Sequence, residues 1–158
     1  MVHVVGVGEM RLSCDSGDII VTHPVGSCVG ISIHDPESHV GGILHFMLPS
    51  SAVDPEKAAE NPYLFADTGL QAFLREASAM GAERGRTRVV LVGGAQTADE
   101  AGHFAIGRRN QIAARKLLWR EELVIGSEHL GGNLPRTFCL EVGSGRTWVK
   151  CNGTETDL

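Results

Sequence analysis

Twenty glycines are spread through 158 residues, and the stretches between them are short runs of β-branched and apolar side chains. Glycine at this density admits short elements and tight turns and leaves little room for long helices. Ile19-Ile20-Val21-Thr22 is β-branched throughout and predicts a strand. Cys28 to His34 alternates, with Val29, Ile31 and Ile33 on one face and Cys28, Gly30, Ser32 and His34 on the other. Asp35-Pro36 closes that strand as a turn. Gly41 to Met47 predicts the next strand, ended by Pro49, and its paired glycines let another backbone approach. Arg88 to Val92, Leu123 to Ile125, Thr137 to Val142 and Thr147 to Lys150 complete the strand set. Two helices interrupt it. One starts near Asp67, carries Leu70, Phe73, Leu74, Ala77 and Met80 as an apolar stripe, and stops at Gly81. The other starts at about Asn110, a good N-cap, and runs toward Glu121 with Ala113, Ala114, Leu117 and Leu118 inward. Asp54-Pro55 and Asn61-Pro62 mark turns in a surface segment over 50–63. Strands outnumber helices and follow one another closely, so the fold class is α+β rather than a doubly wound parallel sheet.

The length suits one domain over 1–158, with a flexible tail from about residue 152. Hydrophobic residues make up 42% and charged residues 21%, as in a globular protein. The net charge of −5 comes with no basic stripe, which argues against nucleic-acid binding. Met1-Val2-His3-Val4 begins no signal peptide, and no apolar run reaches the roughly 18 residues of a membrane span. A cytoplasmic protein without membrane insertion is expected. In that compartment the four cysteines, Cys14, Cys28, Cys139 and Cys151, stay reduced, and none has CxxC spacing. The seven histidines form no HExxH pattern, so no metal site is expected; His34 and His39 bracket a turn and would chelate weakly. No cofactor is expected either. Gly93-Gly94-Ala95 lacks the Lys-Ser/Thr of a phosphate loop, and Arg11 stands where a dinucleotide fingerprint beginning at Gly6-Val7-Gly8 needs its third glycine. Gly131-Gly132-Asn133 predicts a turn.

The most unusual stretch is Val21-Thr22-His23-Pro24-Val25-Gly26-Ser27-Cys28. A loop with Pro24 and Gly26 delivers Cys28 to the start of a strand, where scaffolds present reactive groups. His45 follows seventeen residues later. If the two strands pair as neighbours, the thiol and imidazole can meet, and an imidazole beside a thiol activates it. The pattern also fits a buried inert cysteine and a satisfied core histidine. Arg108 and Arg109 offer a positive surface to an acidic partner beside Asn110.

These motifs are similar to those of a known family. Thr22 with Gly26-Ser27-Cys28-Val29, Asp35-Pro36, Gly41-Gly42 and His45-Phe46-Met47-Leu48-Pro49 resemble the chemoreceptor glutamine deamidase CheD family. The likeness continues through Phe65-Ala66-Asp67-Thr68, Val92-Gly93-Gly94-Ala95, Ile106-Gly107-Arg108-Arg109-Asn110 and Gly131-Gly132-Asn133, in order, over roughly residues 3 to 150. The resemblance implies a β-sandwich-like core flanked by helices, similar to toxin-type cysteine deamidases. It implies a cofactor-free protein-glutamine glutaminase of chemotaxis that converts receptor glutamines to glutamate, with receptor methyl esters as further substrates. Cys28 falls on the family nucleophile, His45 on its histidine and Thr22 on its threonine. For the oxyanion of such a reaction the Cys28 backbone N–H is the candidate donor, with Gly26 and Ser27 shaping the approach on the substrate side. Implied partners are the cytoplasmic helices of methyl-accepting chemoreceptors and a CheC-type phosphatase of CheY; a non-catalytic module docking either one is the alternative. Two departures stand out. His23-Pro24 replaces apolar or glycine residues and makes His23 a rival to His45. Gln96-Thr97-Ala98 replaces a segment expected to carry methionine or phenylalanine at the partner surface.

Overall fold

The computed structural model describes residues 1–96 and 105–158. Two five-stranded sheets make up its framework. The first orders β1 (Val2–Val5), β3 (Ile19–Val25), β8 (Arg136–Glu141), β9 (Thr147–Cys151) and β10 (Thr154–Asp157). The second orders β2 (Glu9–Ser13), β5 (Val40–Phe46), β4 (Val29–Asp35), β6 (Arg88–Gly93) and β7 (Ile125–Leu130). Pairing is antiparallel except for β1 with β3 and β6 with β7, which are parallel. The α+β architecture read from the sequence is the one found.

Alternation along β4 explains the layering. Val29, Ile31 and Ile33 join Leu44, Phe46 and Leu91 in one core, against Leu70, Phe73 and Leu118. Those last three belong to α2 (Ala66–Ala79) and α3 (Ile106–Arg120), which cover that face of the second sheet. The opposite face packs on the first sheet through Ile43, Val90 and Val92, which meet Val5, Ile20, Phe138, Leu140 and Val149. Every residue of β4 and β5 is therefore buried. The Gly30, Ser32, His34 face, polar by composition, is an inter-sheet surface. It fits there because glycine and serine are small and His34 Nε2 bonds the Val142 carbonyl at 2.9 Å. Close approach also accounts for Gly42, where a Cβ would stand 2.4 Å from the Arg11 carbonyl of β2.

Several boundaries differ from those expected. The segment 50–63 contains a short α1 (Pro55–Glu60) and two 3-10 turns rather than open loop. Asp54 and Asn61 act as N-caps, and each following proline takes the first helical position, where its fixed φ is already helical. β7 begins at Ile125, because Leu123 turns into the helix-side core. Residues 154–157, expected as a tail, pair with β9 as β10. Met80 lies at the C-cap of α2 and is exposed. α3 starts at Ile106, four residues before Asn110. Asn110 is thus no cap: it is fully buried inside the helix. Asp35 is more than a turn residue. It is fully buried and takes two bonds from Arg86, at 3.0 and 2.9 Å, and the Glu83 N–H at 2.9 Å. The Arg86 guanidinium holds its carboxyl well below the usual carboxylate range.

Candidate active site

β4 and β5 do pair as neighbours, antiparallel, with Gly30 opposite His45 and Val29 opposite Phe46. Beyond Val29, the ladder to β6 continues by one bond, from the Gly94 N–H to the Cys28 carbonyl at 2.8 Å. Cys28 thus lies in the bend just before β4, tied to the β6 side by that bond. Gly30, two residues on, pairs with His45 across the ladder. Glycine at position 30 leaves the intervening space to the opposite sheet: a Cβ there would lie 3.1 Å from the Phe138 ring and 3.7 Å from Thr22 Cγ2.

Thr22 reaches His45 across the sandwich. Its Oγ1 lies 2.7 Å from His45 Nδ1 and donates to the Val5 carbonyl at 2.6 Å. A threonine hydroxyl has one proton, and a carbonyl can only accept. The Thr22 proton is committed to Val5, so Oγ1 must accept from His45 Nδ1–H. This chain assigns the tautomer: Nδ1 carries the hydrogen and Nε2 keeps its lone pair. Nε2 is buried and has no hydrogen-bond partner among the described residues. Burial pushes the imidazole down to about 4, and the nearby Glu9 carboxylate pulls weakly the other way. His45 is therefore neutral at pH 7, fully buried, and oriented to take a proton at Nε2.

The loop before Cys28 is tied on several sides. The Gly26 carbonyl accepts the Ala95 N–H at 2.9 Å. Ser27 and Met47 both give their carbonyls to Asn110 Nδ2, each at 2.9 Å. Gly93 holds φ +117°, and a Cβ there would meet the Cys28 carbonyl at 2.3 Å, so only glycine permits this approach. Gly26, Ser27 and Cys28 are all half-buried. His23, the rival histidine, is exposed on β3, which carries a bulge between Thr22 and Val25. Pro24 has no N–H to give a ladder, which suits a bulge. Cys14 is exposed, Cys151 half-buried and Cys139 buried, and burial raises the Cys139 thiol pKa. Arg108 and Arg109 stand exposed on the first turn of α3, and Arg109 borders a shallow groove with Pro49, Ile112 and Lys116. Asn110 faces the interior, away from any partner surface. Thr97 and Ala98 lie outside the described residues. The Val5 carbonyl was missed by sequence reasoning, since a backbone acceptor leaves no mark on residue type.

Comparison with known proteins matches residues 47–151 to the family model described as CheD, CheD chemotactic sensory transduction. The chain is 42% identical to a probable chemoreceptor glutamine deamidase CheD of Solibacter usitatus, covering 98% of this chain and 92% of that one. A protein of the same name from Pyrococcus horikoshii is 36% identical, with 92% and 90% covered. Among solved structures, a Neisseria meningitidis protein of family-model DUF152 superposes with TM-score 0.47 at 12% identity, over 84% of this chain and 63% of that one. With about two thirds of its length matched to the family model and relatives this similar from end to end, the chain belongs to the CheD family.

Proposed function

We propose that this protein is a chemoreceptor glutamine deamidase working through a cysteine thioester. The observation that carries the proposal is the Val5–Thr22–His45 chain, which leaves a bare, buried Nε2 on the residue paired with Gly30, two positions along from Cys28. An amide carbon is a poor electrophile, and a sulfur nucleophile divides its hydrolysis into two easier steps. As the Cys28 sulfur bonds the glutamine carboxamide carbon, its proton passes to His45 Nε2 and the oxygen takes the negative charge. Backbone N–H groups of the Gly26-Ser27 loop are assigned to that oxyanion. The Nε2 proton then moves to the nitrogen, the C–N bond breaks and ammonia leaves. Water attacks the γ-glutamyl thioester while Nε2 takes its proton and returns one to sulfur. The products are glutamate and the original thiol. A methyl ester follows the same path with methanol leaving.

Thr22 is a neutral orienter. It stabilises an imidazolium less than a buried carboxylate would, which fits a slow modifying enzyme. The substrate would be the cytoplasmic helices of chemoreceptors, and a CheC-type phosphatase would be the regulator where a cell has one. The reaction would take place in the cytoplasm; no helix among the described residues is long and apolar enough to cross a membrane. Mass spectrometry of a receptor fragment tests the proposal. A gain of about one dalton at a glutamine, absent with Cys28→Ala, is expected. Conversion that survives Cys28→Ala would overturn the nucleophile.

A further inference from the structure

Asn110 is an expensive residue to keep where it stands. Asparagine disfavours helix interiors, because its side chain competes for backbone hydrogen bonds. Here it lies inside α3, fully buried, among alanine and leucine. Its Oδ1 is buried with no partner among the described residues. An apolar side chain would avoid both costs, so the benefit must lie in the other end of the amide.

That end makes two bonds. Nδ2 lies 2.9 Å from the Ser27 carbonyl and 2.9 Å from the Met47 carbonyl. Carbonyls only accept, so the atom facing both must be the nitrogen, and each of its two hydrogens has a carbonyl. Ser27 directly precedes Cys28. Met47 follows His45 by two residues, just past the end of β5. Residues 28 and 47 would be the next pair of the β4–β5 ladder beyond Val29 and Phe46. The carboxamide thus spans the open end of that ladder, where the two chains separate. Gln111 adds a bond from Nε2 to the Gly94 carbonyl at 2.8 Å, just past the end of β6, where the Gly94 N–H bonds the Cys28 carbonyl.

We propose that Asn110 is a positioning residue. By clamping the Ser27 and Met47 carbonyls to α3, it fixes the distance from the Cys28 sulfur to His45 Nε2. This rests on the assignment of Cys28 and His45 as nucleophile and base. Displacements of about 1 Å in a reacting pair cost up to about a hundredfold in rate, so the clamp acts on kcat. It touches no substrate and leaves KM unchanged.

The test compares Asn110→Ala and the same-size, acceptor-only Asn110→Asp with Leu118→Ala, a cavity variant of the same helix remote from the loop. All are assayed below their melting transitions on a receptor fragment. The expected result is a kcat loss of about tenfold to a hundredfold in both Asn110 variants, with KM held. Leu118→Ala should lose melting temperature and keep its kcat. Amide hydrogen exchange supplies an arm independent of activity. The Gly94 and Ala95 N–H groups, bonded to Cys28 and Gly26, should exchange faster in Asn110→Ala and not in Leu118→Ala. Wild-type kcat and wild-type exchange in Asn110→Ala would overturn the proposal, as would equal kcat losses in Asn110→Ala and Leu118→Ala. If Asn110→Ala does not fold, Asn110→Ser takes its place in both arms, with the same outcomes expected. Wild-type protein that deamidates nothing would defeat the functional assignment, and the exchange arm would still decide the clamp.

Discussion

Valine at position 22 keeps the shape of threonine and removes its hydroxyl. Two buried bonds disappear, one to the Val5 carbonyl at 2.6 Å and one with His45 Nδ1 at 2.7 Å. In Thr22→Val the Nδ1–H tautomer would bury a donor without an acceptor, at a cost of about 1–3 kcal/mol. The other tautomer fares no better, because Nε2 has no acceptor among the described residues; nothing then holds the hydrogen on Nδ1, and a hydrogen on Nε2 blocks proton uptake from Cys28. A hydrogen bond from the charged ring is worth about 1 kcal/mol more than one from the neutral ring, so with the imidazolium unsupported and the reactive tautomer no longer enforced the rate falls by about 5- to 20-fold, at about 1.4 kcal/mol per tenfold. The rate of deamidation should fall by that factor with KM unchanged, because Thr22 is fully buried and meets no substrate. The orphaned Val5 carbonyl adds about 1–3 kcal/mol of lost stability. For a domain of this size each kcal/mol lowers the melting temperature by about 2–4 °C. Thr22→Ser keeps the hydroxyl and should restore most of the rate. The assay is the time course of the mass gain on a receptor fragment, run beside thermal melts. Wild-type kcat in folded Thr22→Val would refute the relay, as would a Thr22→Ser protein as slow as Thr22→Val.

Acid should act through His45 in a window of its own. The unfolded chain binds a proton near pH 6.5 and the folded one only near 4, so the unfolded state holds more protons in between. Stability is then full above pH 6.5 and is lost as pH falls toward 4, by about 3 kcal/mol in total. Melts of wild type and His45→Ala across that range should show a shallower loss in the variant; equal slopes would contradict the buried neutral imidazole. The acid limb of kcat/KM should lie near 4 rather than 6.5, read from the same fragment assay at graded pH. Arg86→Ala should destabilise the fold by about 3 kcal/mol, because it leaves the Asp35 carboxylate buried without its cation. Below its lowered melting point its kcat should match wild type, and a dead but folded Arg86→Ala would show that Asp35 serves the site.

Much of the second sheet was legible. Val29, Ile31 and Ile33 alternate, and periodicity reports which side chains share a face. It does not report what covers that face. Nothing in the small, polar Gly30 side of β4 announces the second sheet that lies on it. Pairing of β4 with β5 was conditional on the sequence alone, because register is a tertiary property, although a close approach was signalled at Gly41-Gly42. The link from Thr22 to His45 crosses between sheets and came only from family resemblance. Asn110 shows the opposite failure. Local chemistry favours asparagine at a cap, and here two carbonyls from distant segments outweighed that preference and drew it inside the helix. Asp54 and Asn61 read as turns because a cap followed by proline has the same composition as a turn.

The central claim concerns one hydrogen on one ring. Nitrogen NMR of histidine-labelled protein, with His45 assigned by comparison with His45→Ala, reports which ring nitrogen is protonated. The expected result at pH 7 is a neutral His45 with hydrogen on Nδ1 and a bare Nε2, persisting well below pH 6.5 and lost in Thr22→Val. A hydrogen on Nε2, or an imidazolium at pH 7, would contradict it.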